Sequence, residues 1–136
     1  MLRPYIIAEV KNAAGDIIHQ GQKRVRSSVL SSQTASWLRK AMYNSIETGT
    51  GRMAKVDGIA VAGKTGTAQM AGAGGYKEGQ YISSFIGFWP YEEPEFLLLI
   101  ALGEPRGRIY GGEIAAPVFQ AIAEDMTQLS LLAASN

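Results

Sequence analysis

Apolar and polar residues alternate with two different periods along this chain, and the period indicates the type of each element. From residue 33 to residue 48, apolar side chains recur every three or four positions, which predicts a helix over 33–48 with one buried face. Ser31 or Ser32 is available as its N-cap, and Gly49 follows its end. Trp37 lies beside the apolar stripe, so we expect its ring to pack against a neighbouring element rather than on a ligand.

A second helical stripe occupies the C-terminal part of the sequence. It predicts a helix over 113–131, in which Pro117 fits only near the first turn because proline lacks the N–H that an interior helical residue donates. The apolar positions of this stripe are Ile114, Val118, Ile122, Met126 and Leu129.

The remaining regular segments are typical of strands. A β-prone pair of runs around an Asn- and Gly-containing reversal predicts a hairpin over 4–20. Small and β-branched residues begin a predicted strand over 59–69, and a second strand is predicted over 81–89. A Pro- and Glu-rich turn then reverses the chain into a predicted apolar strand over 96–102. The four glycines between residues 70 and 79 predict a mobile connection.

The strand over 96–102 is apolar at every position, which predicts that both of its faces are covered. We therefore expect an α+β fold, with an antiparallel sheet covered by helices. A central strand needs a neighbour on each edge, and the predicted hairpin with 81–89 supplies one. Either the N-terminal hairpin or a segment outside this chain is expected to pair with the other edge.

Composition excludes several functional classes. The chain of 136 residues has 13 basic and 12 acidic side chains, so its net charge of +1 gives no reason to expect nucleic acid as a partner. The basic cluster at residues 23–26 is interpreted as a solvated turn. The sequence has no cysteine, which excludes thiolate chemistry, and its single histidine, His19, cannot build a metal site or a Ser-His-Asp triad by itself. We expect neither a metal nor a cofactor.

One segment, residues 58–69, fits two incompatible functional patterns. Counted from Gly58, it matches a phosphate-binding loop that ends in Gly-Lys-Thr; counted from Lys64, it contains a Lys-Thr-Gly triplet. A phosphate loop needs a buried strand before the glycine and a helix after the threonine. Here residues 52–57 are too polar for a buried strand, and a glycine-rich tract follows Thr67, so the context favours the triplet on a strand.

The triplet gains specificity from motifs that follow it in order along the chain. These are the segments Ala62–Gln69, Ser84–Pro90, Tyr110–Gly112 and Ala115–Phe119, with Arg-Pro-Tyr-Ile near the start and Gly-Thr-Gly after the first helix. The series resembles the C-terminal part of the transpeptidase domain of class B penicillin-binding proteins, the septal or cell-division type above all. The resemblance extends from residue 2 to about residue 128.

The resemblance implies a function and a set of site residues. Such enzymes are penicillin-binding peptidoglycan D,D-transpeptidases, which cross-link stem peptides during cell-wall synthesis and are acylated by β-lactams. By resemblance, Lys64, Thr65, Gly66 and Thr67 would bind the terminal carboxylate of the donor peptide, and the backbone N–H of Thr67 would be one oxyanion-hole donor. We also expect Gln69 and Tyr110 to line the substrate cleft.

The family also needs a Ser-x-x-Lys tetrad and a Ser-x-Asn triplet, and this sequence contains neither. We therefore interpret the chain as a C-terminal fragment that is inactive alone and whose partner is the N-terminal part of the same domain. The resemblance implies a parent anchored in the bacterial cytoplasmic membrane, with this domain on the extracytoplasmic side among division or cell-wall proteins. The alternatives are a non-catalytic binding or scaffold module and a nucleotide-binding domain.

Overall fold

A computed structural model describes residues 1–134, with side chains up to residue 130. The chain divides into two compact units, residues 1–35 and the part from residue 36 onward, and each is described by itself. Within residues 1–134, no helix is both long and apolar enough to span a bilayer.

The first unit consists of two small antiparallel pairs. Strand β1 (Leu2–Arg3) pairs with β4 (Arg24–Val25), and β2 (Glu9–Lys11) pairs with β3 (Ile17–Gln20). The β2–β3 reversal is fixed by Asn12, whose side-chain oxygen accepts hydrogen bonds of 2.9 Å from the N–H groups of residues 14 and 16. The paired part of the predicted hairpin is therefore shorter than residues 4–20.

Helix α1 (Ser32–Glu47) begins next to Ser31, whose hydroxyl accepts a hydrogen bond of 3.1 Å from the N–H of Thr34 and so acts as the N-cap. Ile46 is its buried residue. The expectation that Trp37 packs against a neighbour is wrong, because its side chain is 66% exposed. Ile46 follows Trp37 by nine positions, which is roughly two and a half turns, so the two side chains lie on opposite sides of the helix.

The second unit contains an antiparallel sheet of order β5–β6–β7, formed by β5 (Ala62–Gly72), β6 (Gly75–Trp89) and β7 (Phe96–Gly103). The predicted mobile connection over 70–79 is wrong, because Gly72 pairs with Gly75 and the two strands continue as one long hairpin. The prediction failed because main-chain hydrogen bonds between β5 and β6 hold these glycines in a strand without help from side chains.

Two helices follow the sheet where one helix was predicted over 113–131. A short helix, α2 (Gly111–Ile114), is followed after Ala115 by the long helix α3 (Ala116–Ala134). Pro117 explains the division, because its ring has no N–H to donate to the carbonyl of Glu113 and would collide with that carbonyl in a continuous helix.

The core lies between α3 and one face of the sheet. The ring centroid of Phe119 lies 4.7 Å from that of Phe85 and 5.3 Å from that of Trp89, and Trp89 stacks on Phe96 at 5.1 Å. Phe85, Trp89 and Phe119 are fully buried. Aromatic contacts with these geometries add about 0.5–1.5 kcal/mol each beyond burial of their area.

Strand β7 corrects the prediction that both faces of 96–102 are covered. Its exposure alternates: Leu98 and Ile100 pack against the core, whereas Leu97 and Leu99 are 71% and 58% exposed. β7 is also an edge strand, because β2 and β3 form a separate two-stranded sheet. Within the part of the chain that the structure describes, one face and one edge of this apolar strand therefore have no neighbour.

Candidate functional site

The outer edge of β5 carries main-chain groups that point away from β6. The carbonyl of Gly63 accepts a hydrogen bond of 2.7 Å from the Ser45 hydroxyl on α1, and the carbonyl of Thr65 accepts one of 2.7 Å from the Lys64 ammonium. In an antiparallel strand, alternate residues direct both N–H and C=O to the same edge. The register of β5 is regular between residues 62 and 69, so the N–H of Thr67 also points outward.

Lys64 lies on the face of β5 opposite to Thr65, and its long side chain bends over the strand edge. Its ammonium lies 2.7 Å from the carbonyl oxygen and 3.3 Å from the hydroxyl of Thr65. An ammonium group has three N–H donors, so one remains for a ligand. The bend brings the positive charge to the same edge as the outward N–H of Thr67.

The Thr65 hydroxyl lies 3.0 Å from the hydroxyl of Thr50, which belongs to the loop between α1 and the 3₁₀ turn Arg52–Ala54. The sequence motif Gly-Thr-Gly therefore supplies a direct neighbour of the Lys-Thr-Gly triplet. The two threonines place hydroxyl groups from separate segments at one point of the site.

Thr67 is held by the first residue of α2. Its hydroxyl oxygen accepts a hydrogen bond of 3.2 Å from the N–H of Gly111. Because that bond uses a lone pair of the oxygen, the hydroxyl proton of Thr67 remains available to a ligand. The Thr67 residue therefore offers two donors, its outward N–H and its O–H.

Two glycines permit this close packing. A Cβ at Gly66 would lie 2.6 Å from the Ser84 hydroxyl oxygen, and a Cβ at Gly111 would collide with the carbonyl oxygens of Ser84 and Gly66. A residue with a side chain at position 111 would push α2 away from β5 and β6. Gly111 thus sets the distance between the helix start and the strand that bears the triplet.

A cleft of about 480 Å³ lies beside these residues. Of the predicted site residues, Thr65, Thr67 and Tyr110 line it, while Lys64 and Gly66 lie beside it on β5 without lining it. Gln69 does not line it, in contrast to the expectation, because its amide donates a hydrogen bond of 3.1 Å to the carbonyl of Lys77 within the hairpin.

Eight residues that line the cleft have no role predicted from the sequence, namely Gly49, Thr50, Arg52, Met53, Arg108, Gly111, Gly112 and Glu113. Four of these, Gly49, Thr50, Gly111 and Gly112, lie in the Gly-Thr-Gly and Tyr-Gly-Gly motifs of the series. The two arginines carry no motif, so only the fold places them together.

The arrangement is suited to an anion and lacks the elements of a phosphate loop. A lysine ammonium, two threonine hydroxyls and an outward backbone N–H are all hydrogen-bond donors, which is the set that a carboxylate accepts. β5 continues as a strand from Thr65 to Gly72, so no helix begins after the Gly-Lys-Thr sequence. The nucleotide-binding alternative is therefore wrong, because it requires a helix directly after the Gly-Lys-Thr sequence.

Comparison with known proteins gives a consistent result. The model of the penicillin binding protein transpeptidase domain matches residues 1–124. Stage V sporulation protein D of Bacillus subtilis is 37% identical over 124 residues, which are 90% of this chain and 19% of that protein. Peptidoglycan D,D-transpeptidase FtsI of Buchnera aphidicola is 33% identical over 120 residues, which are 83% of this chain and 21% of that protein.

A solved structure agrees with the sequence matches. The ceftriaxone acyl-enzyme complex of penicillin-binding protein A from Mycobacterium tuberculosis superposes with a TM-score of 0.78 at 25% identity, over 90% of this chain and 27% of that chain. The two curated relatives are much longer than this chain, which spans about a fifth of their length. With the family model matched over residues 1–124, the chain belongs to the transpeptidase family of the class B penicillin-binding proteins.

Proposed function

We propose that this chain supplies the substrate-carboxylate and oxyanion wall of a peptidoglycan D,D-transpeptidase. The observation that carries the proposal is the set of donors along the outer edge of β5, where the Lys64 ammonium bends to the carbonyl of Thr65 and the N–H of Thr67 points outward. The full-length protein that contains this chain is called the parent below.

The terminal carboxylate of a donor peptide would accept hydrogen bonds from Lys64, Thr65 and Thr67. Lys64 has one N–H that neither oxygen of Thr65 occupies, and the Thr67 hydroxyl already accepts from Gly111 and so donates outward. A hydrogen bond to a charged group contributes about 1.5–3 kcal/mol. Gly66 lets β5 pack closely on β6 behind these donors, because a Cβ there would lie 2.6 Å from the Ser84 hydroxyl oxygen.

The backbone N–H of Thr67 would donate to the oxyanion that forms when the scissile carbonyl is attacked. Because this donor belongs to the main chain of a paired strand, it is already oriented before the reaction. The loss of one such donor typically costs about 2.7–4 kcal/mol of transition-state stabilisation. In this proposal the second oxyanion donor is the N–H of the nucleophilic residue.

The nucleophile would come from a part of the parent outside this chain, since no serine here stands three residues before a lysine. That serine would attack the D-Ala-D-Ala bond, release the terminal D-Ala and form an acyl-enzyme. An amine of a second stem peptide would then attack the ester and release the serine. The chain by itself provides positioning and charge stabilisation, without the group that forms the covalent bond.

The wider role is proposed from the relatives. Their names include a sporulation protein and FtsI, a peptidoglycan D,D-transpeptidase. We infer a cell-wall function outside the cytoplasmic membrane, in a membrane-anchored parent that acts with cell-wall or division proteins. β-Lactams would acylate it, as ceftriaxone does the mycobacterial protein.

The proposal is tested by the rate at which a fluorescent penicillin acylates the parent. Lys64→Ala should lower the second-order rate constant about 10- to 100-fold, because a charge-assisted contact to the carboxylate is lost. Lys77→Ala is the matched control, since Lys77 is an exposed lysine of the β5–β6 hairpin that lies outside the cleft. Equal rates for Lys64→Ala and the unchanged parent would contradict the role of Lys64.

The isolated chain provides a second test. We expect no stable covalent labelling of this polypeptide by the same penicillin, at any concentration that labels the parent. A labelled residue within the 136 residues, identified by peptide mapping, would show that the nucleophile had been assigned to the wrong part of the protein.

A further inference from the structure

The cleft beside Thr65 and Thr67 has a cationic side that the proposed function does not use. Arg52 enters it from the 3₁₀ turn after α1, and Arg108 enters it from the loop after β7. The cleft contains one acidic side chain, Glu113, against these two guanidinium groups. The cleft therefore carries a net positive charge from ionised side chains, in addition to the Lys64 ammonium on the strand edge.

Neither guanidinium is fully neutralised by the described residues. The Arg108 side chain lies 3.9 Å from the Glu113 carboxylate, which is the outer limit of an ion pair, and both side chains are exposed. Among residues 1–134, no ion pair involves Arg52. A guanidinium group has five N–H donors in a planar fork, so both arginines retain donors for a ligand.

The volume of the cleft also exceeds what one carboxylate needs. A space of about 480 Å³ lies in the range typical of small-molecule sites, which enclose most of a drug-sized ligand. The triplet threonines line one side of it, and the arginines line segments on other elements. A ligand whose terminal carboxylate lies at Thr65 and Thr67 would thus leave room for further groups near the arginines.

We propose that Arg52 and Arg108 form a second anion subsite, which binds a carboxylate of a cell-wall peptide other than the terminal one bound at Thr65 and Thr67. The inference rests on the proposed function and adds a substrate preference to it. Arginine pairs with carboxylates through two parallel hydrogen bonds, which fixes orientation as well as charge. Glu113 competes with the ligand for Arg108, so its removal should strengthen the subsite.

The test compares two penicillins that differ in one group. The parent is acylated by a penicillin with a carboxylate on its acyl side chain and by the matched neutral penicillin, and the ratio of the two second-order rate constants is measured. Arg52→Gln and Arg108→Gln should each lower this ratio about three- to tenfold, the size expected for one charged contact in a half-open cleft. Glu113→Gln should raise it.

The matched control is Arg106→Gln, which removes the same charge two residues from Arg108 but outside the cleft. It should leave the ratio within about twofold, whereas a general effect of net charge would change all four ratios together. Thermal unfolding of each variant identifies a change that acts through folding. If Arg108→Lys restores most of the ratio lost in Arg108→Gln, the charge is the cause.

The outcomes separate this inference from the proposed function. If neither penicillin acylates the parent, the transpeptidase proposal fails. If both acylate it and the ratio is unchanged in Arg52→Gln and Arg108→Gln, the second subsite is wrong while the proposed function stands.

The source of the carboxylate is identified with peptide substrates. Donor and acceptor stem peptides are each prepared with a free and an amidated internal carboxylate, and kcat/KM is measured for the parent and for Arg108→Gln. A loss that is confined to the free-carboxylate donor assigns the subsite to the donor, and one confined to the acceptor assigns it to the acceptor. Equal losses for free and amidated forms in both peptides would overturn the proposal.

Discussion

The backbone N–H of Gly111 donates a hydrogen bond of 3.2 Å to the hydroxyl of Thr67, and the two residues are 44 positions apart in the sequence. This bond joins the start of α2 to the middle of β5. It also leaves the proton of the Thr67 hydroxyl available to another acceptor, because the oxygen is the acceptor in the bond to the helix. The contact therefore contributes both to the packing of the second unit and to the chemistry of the site.

Thr67→Val should reveal both contributions at once. Valine has the shape of threonine but no acceptor, so the buried N–H of Gly111 would lose its partner, which costs about 1–3 kcal/mol. We expect that loss in denaturant unfolding of the parent, together with slower acylation by penicillin. Thr67→Ser keeps the hydroxyl and should retain most of both properties. Equal stability of the valine and serine variants would contradict the role of this hydrogen bond.

Gly111→Ala tests the close approach of α2 to the sheet. The added methyl group would collide with the carbonyl oxygens of Ser84 and Gly66, which are main-chain atoms of two paired strands and cannot rotate away. Overpacking of this kind costs typically about 1–3 kcal/mol, which we expect as a lower unfolding midpoint.

Gly74→Ala is the matched control for that experiment. Gly74 lies in the turn between β5 and β6, where a Cβ would meet no atom within 4 Å. Its unfolding midpoint should be close to that of the unchanged protein. If the two alanine variants were destabilised equally, steric contact at position 111 would not be the cause.

Structural features that depend on residues close together in the sequence could be predicted, whereas features that depend on pairing between distant segments could not. The helix around Ile46 and the N-cap at Ser31 depend on neighbours within a few residues, and their sequence pattern was sufficient. The extension of β5 and β6 through residues 70–79 depends on pairing between strands, which outweighs the flexibility of glycine.

The same distinction applies to the site. The Lys-Thr-Gly triplet could be found because its residues are adjacent in the sequence. Arg52 and Arg108 lie 56 positions apart (108 minus 52), and neither belongs to a pattern, so only the folded chain shows that both line one cleft. Gln69 was misplaced because its partner, the carbonyl of Lys77, depends on the length of the hairpin.

The exposed face of β7 predicts self-association of the isolated chain. Leu97 and Leu99 are 71% and 58% exposed on an edge strand, which presents both apolar side chains and unpaired main-chain groups. Leu97→Lys with Leu99→Lys should shift the chain toward the monomer in light scattering, since neither leucine contributes to the core. Leu98→Lys, at a position packed against the core, should instead destabilise the fold.

Lys55 and Glu47 predict a pH dependence at the alkaline end. The hydrogen bond and the attraction of Glu47, at 2.7 Å, raise the pKa of the exposed Lys55 ammonium above its ordinary value of 10.5. A pKa that is higher in the folded state stabilises the fold below pH 10.5, and this stabilisation disappears as the pH rises through the folded value. Lys55→Gln should therefore be less stable than the unchanged protein at pH 8, and this difference in stability should shrink as the pH rises above 10.5. A difference that is independent of pH would exclude the ion pair as its cause.

Ser83 lies at the centre of β6, is completely buried, and donates its hydroxyl to the carbonyl of Ile109. The segment around residue 109 has no regular structure, yet it carries both Arg108 and Tyr110 into the cleft. The hydrogen bond from Ser83 therefore holds this segment against the interior of the sheet. We therefore expect a substitution at Ser83, which is itself buried, to displace the segment that carries Arg108 and Tyr110, so the shape of the cleft depends on the core of the sheet as well as on the residues of its surface.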